Sequence, residues 1–241
     1  MRRALVLISV CAAALAICSL SFAAVGTISS VNADGALATN WNLFCIPNIP
    51  LDPTPPAVLH IWDPAGDGSG LDGARYLFRY DAATQSMPQY DHWDPGPFGN
   101  MLVGDGYWVK LAPGEQTLIQ YQGMTDNDTT DMWISLPKAG WSMIGHPYSY
   151  PEDEAAAVAN PFPWASVEVT DGTVTKTMLE ARNAGWLQSI VYWYDAPTQS
   201  MKTVGLPEDF QPCETLLAWH GYWVLTYVDN LALILTANPP P

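Results

Sequence analysis

Four oxygen-bearing side chains lie within one glycine-rich stretch of the chain. They are Asp63, Asp67, Ser69 and Asp72. Carboxylate oxygens are preferred ligands of Ca²⁺, and a glycine permits the sharp turn that calcium loops require. The stretch departs from the EF-hand pattern, because Ala65 and Ala74 stand where that pattern has ligands. It therefore predicts either a Ca²⁺ site or a glycine-rich surface turn, and the sequence indicates no other cofactor.

The remaining polar residues carry no catalytic signature. The four histidines, His60, His92, His146 and His220, stand singly, without the i,i+4 spacing that places two zinc ligands on one helix face. Neither a nucleophile elbow nor a glycine-rich phosphate loop is present in the sequence. Nothing marks two of the 24 acidic residues as a glycosidase pair. The sequence favours a protein that is not an enzyme.

A second candidate site consists of Trp108 and Lys110, which are predicted to share one face of a strand. A lysine is almost never fully buried without a partner, so we expect this face to meet solvent. The matching Trp223 has Leu225 and Tyr227 beside it and is expected to be covered. An exposed indole can stack on a sugar ring, whereas packing in a core is the alternative role of an aromatic side chain. Trp108 and Lys110 are therefore candidate ligand-binding residues.

The elements that position these residues come from a repeated sequence. The octapeptide YDAATQSM at Tyr80–Met87 recurs as YDAPTQSM at Tyr194–Met201, with seven of eight positions identical. Two further matched motifs flank each octapeptide in the same order. The motif before it contains Trp41 in the first copy and Trp141 in the second, and the motif after it contains Trp108 and Trp223. The aspartate and threonine of the octapeptide are typical of a chain reversal, which predicts the tip of a hairpin. The pattern as a whole predicts an internal duplication.

Composition and periodicity predict an all-β fold made of two tandem related units, each a β-sandwich or a barrel-like structure. The units are expected at residues 24–128 and 129–241. With 11 Trp, 11 Tyr, 21 Pro and 18 Gly, the chain suits short strands joined by turns. In the second unit, the capping-box pattern Thr177–Glu180 followed by Gly185 predicts a short inserted helix. Five prolines between residues 47 and 56 predict an irregular loop in the first unit.

Residues 1–23 are typical of a secretory signal peptide. Arg2 and Arg3 precede an apolar run that ends in the small-residue site Ser21-Phe22-Ala23. We therefore expect a secreted or extracytoplasmic protein, located in the periplasm or at the cell surface, with no membrane span in the mature chain. Removal of the signal changes the net charge from −15 to −17. So acidic a chain repels phosphate backbones, which argues against nucleic acid as a partner.

Two cysteines remain after the predicted cleavage, Cys45 and Cys213. Gly145 stands at the position matched to Cys45 and Phe98 at the position matched to Cys213, and neither cysteine has a partner within its own unit. In an oxidising compartment the two could form a bridge between the units or remain separate thiols, and the sequence leaves both outcomes open.

The second unit resembles a module that recurs in secreted and surface proteins of environmental bacteria, whose pattern begins near GWNLIGNP and ends near GYWV. The resemblance rests on GWSMIGHP at residues 140–147 and on GYWV at residues 221–224. The first unit is similar to a sister version of this module through WNL at residues 41–43 and GDGYWV at residues 104–109. The resemblance implies a β-rich extracellular module of unassigned activity, and it supplies no catalytic residues.

Two functions of different kinds agree with these features. One is a structural or adhesive component of a bacterial cell surface or extracellular matrix, with surface polysaccharide or other surface proteins as partners. The other is a glycan-binding module that uses exposed aromatic side chains.

Overall fold

The computed structural model describes residues 31–59, 76–91, 93–111, 118–124, 129–150, 161–211 and 213–237. Residues 24–128 and 129–241 are called the first and the second segment below. The predicted signal peptide lies outside the described residues.

The protein has an all-β fold, as predicted, with its described strands in four antiparallel sheets. The first segment contains β1 (Val31–Ala36), β2 (Asn40–Cys45), β3 (Ile49–Pro50), β4 (Leu77–Arg79), β5 (Gly106–Leu111) and β6 (Leu118–Met124). The second contains β7 (Met132–Leu136), β8 (Gly140–Gly145), β9 (Glu168–Thr170), β10 (Thr175–Thr177), β11 (Val191–Asp195), β12 (Ser200–Val204), β13 (Gly221–Thr226) and β14 (Leu231–Leu235). Two short helices accompany them, α1 (Pro55–Leu59) and α2 (Met178–Asn183).

Each segment contributes two of the sheets. The strand orders are β1-β6-β3 and β2-β5-β4 in the first segment, and β10-β9-β14-β7 and β12-β11-β13-β8 in the second. The buried apolar residues form one cluster within residues 44–121 and another within residues 134–235. Each cluster thus takes its buried residues from one segment, although Trp219 of the second segment packs against the first cluster.

Strands β5 and β13 show why the GYWV motif occurs twice. Both strands alternate between buried and half-buried side chains in the same order. In β5 the side chains of Tyr107 and Val109 enter the core, and those of Trp108 and Lys110 lie on the opposite face. The cross-strand registers also match, since Trp108 pairs with Leu43 and Trp223 with Met143. Period-two patterning therefore predicted the face of each residue correctly.

The inserted helix of the second segment is confirmed. At the start of α2 the Glu180 amide donates to the Thr177 hydroxyl at 3.3 Å, and the Thr177 amide donates to the Glu180 carboxylate at 3.0 Å. This reciprocal pair is the predicted capping box. After the helix, Gly185 adopts a φ of 70°, the left-handed conformation that glycine tolerates at a helix end.

The prediction of an irregular loop after β2 is wrong for part of that stretch. Residues Pro55–Leu59 form helix α1, in which the Val58 amide donates to the Thr54 carbonyl oxygen at 3.1 Å. The prolines stand at the first helical positions, where an amide hydrogen would have no partner within the helix. The short strand β3 at Ile49–Pro50, which pairs with β6, is a second departure from the predicted irregular loop.

Candidate functional site

The repeated octapeptide forms the tip of a hairpin in both places where it occurs. The Asp81 carboxylate accepts hydrogen bonds from the Thr84 hydroxyl at 2.6 Å and from the Ala83 amide at 2.9 Å. The Thr198 hydroxyl makes the corresponding bond to Asp195. The bond from the Thr84 hydroxyl is the main reason that the pKa of Asp81 lies below its usual value. The predicted chain reversal is confirmed, with the aspartate and threonine in the expected roles.

The glutamine of each octapeptide reaches a tryptophan of the other segment. Gln85 Nε2 donates to the carbonyl oxygen of Trp141 at 3.1 Å. Gln199 Nε2 donates to the carbonyl oxygen of Trp41 at 3.1 Å, and Gln199 Oε1 accepts from the Trp41 amide at 3.3 Å. Both glutamines have a left-handed backbone, with φ of 52° and 50°. The octapeptides therefore fasten the two segments together as well as reversing the chain.

The tyrosine of each octapeptide also crosses between the segments. The Tyr80 ring meets the Trp223 ring edge to face, with centroids 5.0 Å apart. The Tyr194 ring meets Trp108 in the same way, also at 5.0 Å. The Tyr80 hydroxyl donates to Gln85 Oε1 at 2.9 Å, which holds tyrosine and glutamine in one arrangement. Edge-to-face pairs of this kind are the favoured geometry of aromatic side chains.

These contacts leave two open aromatic clefts, which we call the first and the second cleft. The first cleft has a volume of about 440 Å³ and is lined by Trp41, Phe78, Met87, Trp108 and Tyr194. The second cleft has a volume of about 410 Å³ and is lined by Tyr80, Trp141, Tyr192, Met201 and Trp223. The linings correspond position for position in the sequence repeat, and the one change of side chain between them is Phe78 for Tyr192. In each cleft, one tyrosine comes from the other segment.

The indoles within each cleft have the same arrangement. Trp41 and Trp108 are 6.0 Å apart and nearly perpendicular, at 86°. Trp141 and Trp223 are 6.2 Å apart at 89°. Because the methionine at each mouth is also exposed, the clefts present mostly apolar surface to solvent. A binding pocket for small molecules or sugars typically has such an apolar lining with a few polar groups at its edge.

The predicted contrast between Trp108 and Trp223 is absent. Both indoles are half-buried, and each is partly covered by a tyrosine of the other segment. The prediction considered only same-strand neighbours, so it did not anticipate that Tyr80 and Tyr194 would cover the two indoles equally. The surroundings of the clefts differ instead at the cross-strand partner of one lining tryptophan, which is Lys110 for Trp41 and Leu225 for Trp141.

Lys110 lies against Trp41, which lines the first cleft, and is not itself one of the lining residues. Its Nζ is 5.7 Å from the centroid of the Trp41 ring and 5.7 Å from that of Tyr76. An ammonium group at this distance from an aromatic face is attracted by the ring quadrupole. Trp108 and Lys110, the two residues singled out from the sequence, therefore belong to the same cleft region.

The backbones of the two segments also meet directly. The Cys45 amide donates to the Trp219 carbonyl oxygen at 3.0 Å, and the Gly145 amide donates to the Gly104 carbonyl oxygen at 2.8 Å. A Cβ on Gly145 would lie 2.4 Å from the Cβ of Cys45. The close approach therefore requires a glycine at this position.

Three titratable groups lie near this junction, of which Cys45 and His146 are buried and His220 is half-buried with its Nδ1 inaccessible to solvent. Burial raises the pKa of the Cys45 thiol to about 12 and lowers the pKa of His146 to about 3 and of His220 to about 4. His146 Nε2 donates to the Tyr150 carbonyl oxygen at 2.8 Å, which leaves Nδ1 unprotonated in the neutral ring. All three groups are uncharged at neutral pH. An uncharged buried thiol is a poor nucleophile, so the trio suits packing rather than catalysis.

Neither cysteine forms a disulfide in the structure. Cys45 is buried, and its thiol lies 3.4 Å from the His146 carbonyl oxygen. Cys213 is half-buried, and its thiol lies 3.3 Å from the Thr215 carbonyl oxygen. Of the two outcomes that the sequence left open, the structure has separate thiols.

The candidate calcium ligands lie outside the described residues. They are Asp63, Asp67, Ser69 and Asp72. Within the part of the chain that the structure describes, no group of three or more His, Cys, Asp or Glu side chains is arranged to hold a metal ion. The Ca²⁺ interpretation of residues 63–72 stays a prediction.

Sequence reasoning missed the cross-segment roles of Tyr80, Gln85, Tyr194 and Gln199. Turn chemistry accounts for the aspartate and threonine of the octapeptide, but it makes no demand for a tyrosine or a glutamine. The retention of both residues in both copies was the available signal. It indicated a partner outside the turn, although not which one.

Comparison of the chain with protein-family models, with curated proteins and with solved structures found no match. Among the described residues, no helix is long and apolar enough to cross a membrane.

Proposed function

We propose that this protein is a non-catalytic adhesive module that binds polysaccharide through its two aromatic clefts. The observation that carries the proposal is the pair of matched linings, each with two tryptophans set nearly at right angles. Aromatic faces and thioethers bind by contact and do not transfer protons at neutral pH. A lining of this kind suits binding rather than a reaction.

A sugar ring fits such a cleft because it has an apolar C–H face and a polar edge. The tryptophan faces can stack on the apolar face, and polar groups at the border of the cleft can bind the hydroxyls. In the second cleft these groups include the Tyr192 hydroxyl, which accepts from Gln188 Nε2 at 3.0 Å, and the Tyr80 hydroxyl. Each hydroxyl keeps one hydrogen-bonding position for a ligand.

Two clefts of like chemistry on one chain suit a polymer with repeating units. When one site holds a polymer, the second site binds at a high effective concentration, and the overall affinity exceeds that of either site. In this proposal the segments are two copies of one β-rich unit that face each other, and the matched contacts of Tyr80 and Tyr194 support that relation.

The proposal includes an extracytoplasmic location, supported by the signal-like residues 1–23 and by the resemblance to bacterial surface modules. Mass spectrometry of the exported protein should find Ala24 or Val25 as the mature N-terminus. An exported chain that retains Met1 would contradict this part of the proposal.

The binding test uses the mature chain and a panel of soluble polysaccharides in affinity electrophoresis, followed by calorimetry on any polymer that retards it. Trp108→Ala and Trp223→Ala should each weaken binding by ~1–3 kcal/mol, the scale of a lost aromatic contact. The matched control is Trp133→Ala, because Trp133 is 61% exposed and lies outside both clefts. Melting curves on all variants separate lost binding from lost folding.

Three outcomes decide the question. Weakening by both cleft variants, with Trp133→Ala unchanged, supports the proposal. Equal weakening by all three variants, or no retardation by any polysaccharide, overturns it. Assays repeated in Ca²⁺ and in EDTA should agree, since the clefts hold no metal ligand, and a loss in EDTA alone would assign a role to residues 63–72.

A further inference from the structure

The two clefts differ in one charge, and that difference has a consequence for the ligand. We propose that the first cleft takes a sugar unit bearing a carboxylate, with Lys110 as the residue that selects it, whereas the second cleft takes a neutral unit. This inference rests on the proposed function, because it specifies the substrate class of the same two sites.

Lys110 has no carboxylate partner among the described residues. Four of the other described basic residues form ion pairs within the chain, at N–O distances between 2.8 and 3.5 Å. They are Arg79, Lys138, Arg182 and Lys202. The Lys110 ammonium lies instead over the rings of Trp41 and Tyr76. The cation is thus held in place by aromatic faces, with its charge available to an anion from outside the chain.

The position of this cation is specific to the first cleft. Trp41 pairs with Lys110 across strands β2 and β5, and Trp141 pairs with Leu225 across β8 and β13. The residue at the matched position of Tyr76 is Ile190. Beside the second cleft, the aliphatic residues Leu225 and Ile190 therefore occupy the positions that Lys110 and Tyr76 occupy beside the first.

A carboxylate on the ligand would complement this arrangement. A charge-assisted contact between an ammonium and a carboxylate is stronger than a neutral hydrogen bond, and the neighbouring rings exclude water from one side of it. The chain carries a net charge of −15, so the attraction has to be local. At physiological ionic strength, exposed charges more than about 8 Å away are largely screened, so the distant acidic residues have little effect on a carboxylate bound beside Lys110.

The test compares polymers that differ only in charge. Alginate, hyaluronan and polygalacturonate are each used with ionised carboxylates at neutral pH, called the acid form, and after complete methyl esterification of the carboxylates, at 0.15 M salt. The wild-type chain should bind the acid form of at least one backbone about tenfold more tightly than its ester, as expected for one charge-assisted contact. Lys110→Leu, which copies Leu225, should remove that preference, so that the acid and the ester then bind alike.

Three further variants sharpen the comparison. Lys110→Arg should keep the preference, because the positive charge is retained. Leu225→Lys should increase the preference by creating the same contact in the second cleft. Lys176→Leu is the control, because Lys176 also lies over a tryptophan, 5.0 Å from the Trp186 centroid, but outside both clefts. It should behave as the wild type.

Failure of the inference and failure of the proposed function give different results. Equal binding of acid and ester, or a preference that survives Lys110→Leu, overturns the inference and leaves polysaccharide binding standing. No binding of any polymer in either form overturns both. Binding of polyglutamate alone, with the same dependence on Lys110, would make an acidic peptide the ligand and would also overturn both.

Discussion

Gln85 Nε2 donates a hydrogen bond to the carbonyl oxygen of Trp141, across a separation of 56 residues in sequence. The same link joins Gln199 to Trp41 over 158 residues. Each link attaches a hairpin tip of one segment to the edge of a cleft in the other. The octapeptide is therefore part of the clefts as well as a turn.

Loss of either glutamine should weaken the junction between the segments. Gln85→Ala should lower the free energy of unfolding by about 1 kcal/mol, the usual net value of an intramolecular hydrogen bond. Gln199→Ala should cost more, because Gln199 makes two bonds to the Trp41 backbone. The measurement is urea denaturation, with Gln122→Ala as control, since Gln122 is exposed on β6. A cost no larger than that of the control would show that these bonds add nothing to stability.

Gly145→Ala should be among the most damaging single substitutions. The added Cβ would lie 2.4 Å from the Cys45 Cβ and 2.5 Å from the Asp105 carbonyl oxygen, so backbone has to move. We expect a loss of ~1–3 kcal/mol or failure to fold, as for other overpacked sites. Gly96→Ala is the control, because the nearest atom to its added Cβ is 3.7 Å away. Equal melting temperatures for the two variants would contradict the close approach.

Stability should fall in mild acid because of His146 and His220. Their folded-state pKa values, about 3 for His146 and about 4 for His220, lie below the ordinary value of 6.5. Between pH 6.5 and 4 the unfolded chain binds protons that the folded chain does not, so the free energy of unfolding decreases as the pH falls. Each histidine contributes up to ~1.4 kcal/mol per pH unit in this window, and neither contributes above it.

Chemical denaturation at several pH values between 7.5 and 4.5 measures this slope. His146→Ile introduces the residue found at the matched position of the first segment, Ile46. This variant should reduce the dependence of the free energy of unfolding on pH. NMR titration of the wild-type histidines provides an independent check. A histidine that titrates near 6.5 in the folded protein would show that it is not buried as described.

Cys45 and Cys213 should react differently with thiol reagents. Cys45 is buried and its pKa is raised to about 12, so it should resist modification at pH 8 while the protein is folded. Cys213 is only half-buried and should react in the native state. Titration of unfolded, unreduced protein prepared without residues 1–23, which contain Cys11 and Cys18, should then yield two thiols per chain. A yield of zero would mean that the two cysteines are paired.

The fold class followed from the sequence because its signals are local. Alternation along β5 and β13 depends on neighbouring residues, and so does the capping box of Thr177 and Glu180. The ring contact of Lys110 is different, because Trp41 lies on another strand. Patterning placed Trp108 and Lys110 on the correct face but could not say what else that face meets.

Sequence periodicity could not predict the complete lining of the first cleft. Tyr194 enters the first cleft from the other segment, and no spacing within the first segment refers to it. Contacts across such distances are fixed by how two sheets meet, which depends on the combined shape of many side chains. The repetition of the tyrosine and the glutamine in both octapeptides indicated that these residues contact a partner outside the turn, but only the structure identified the partners.

Tyr194 completes the first cleft, whose other lining residues all lie in the first segment. Tyr80 completes the second cleft, whose other lining residues all lie in the second segment. If the two segments were separate polypeptides, both clefts would be lost whenever the pair dissociated on dilution. With both segments in one chain, each meets its partner at a fixed effective concentration set by the connection between them. The completeness of both clefts is therefore independent of how dilute the protein becomes.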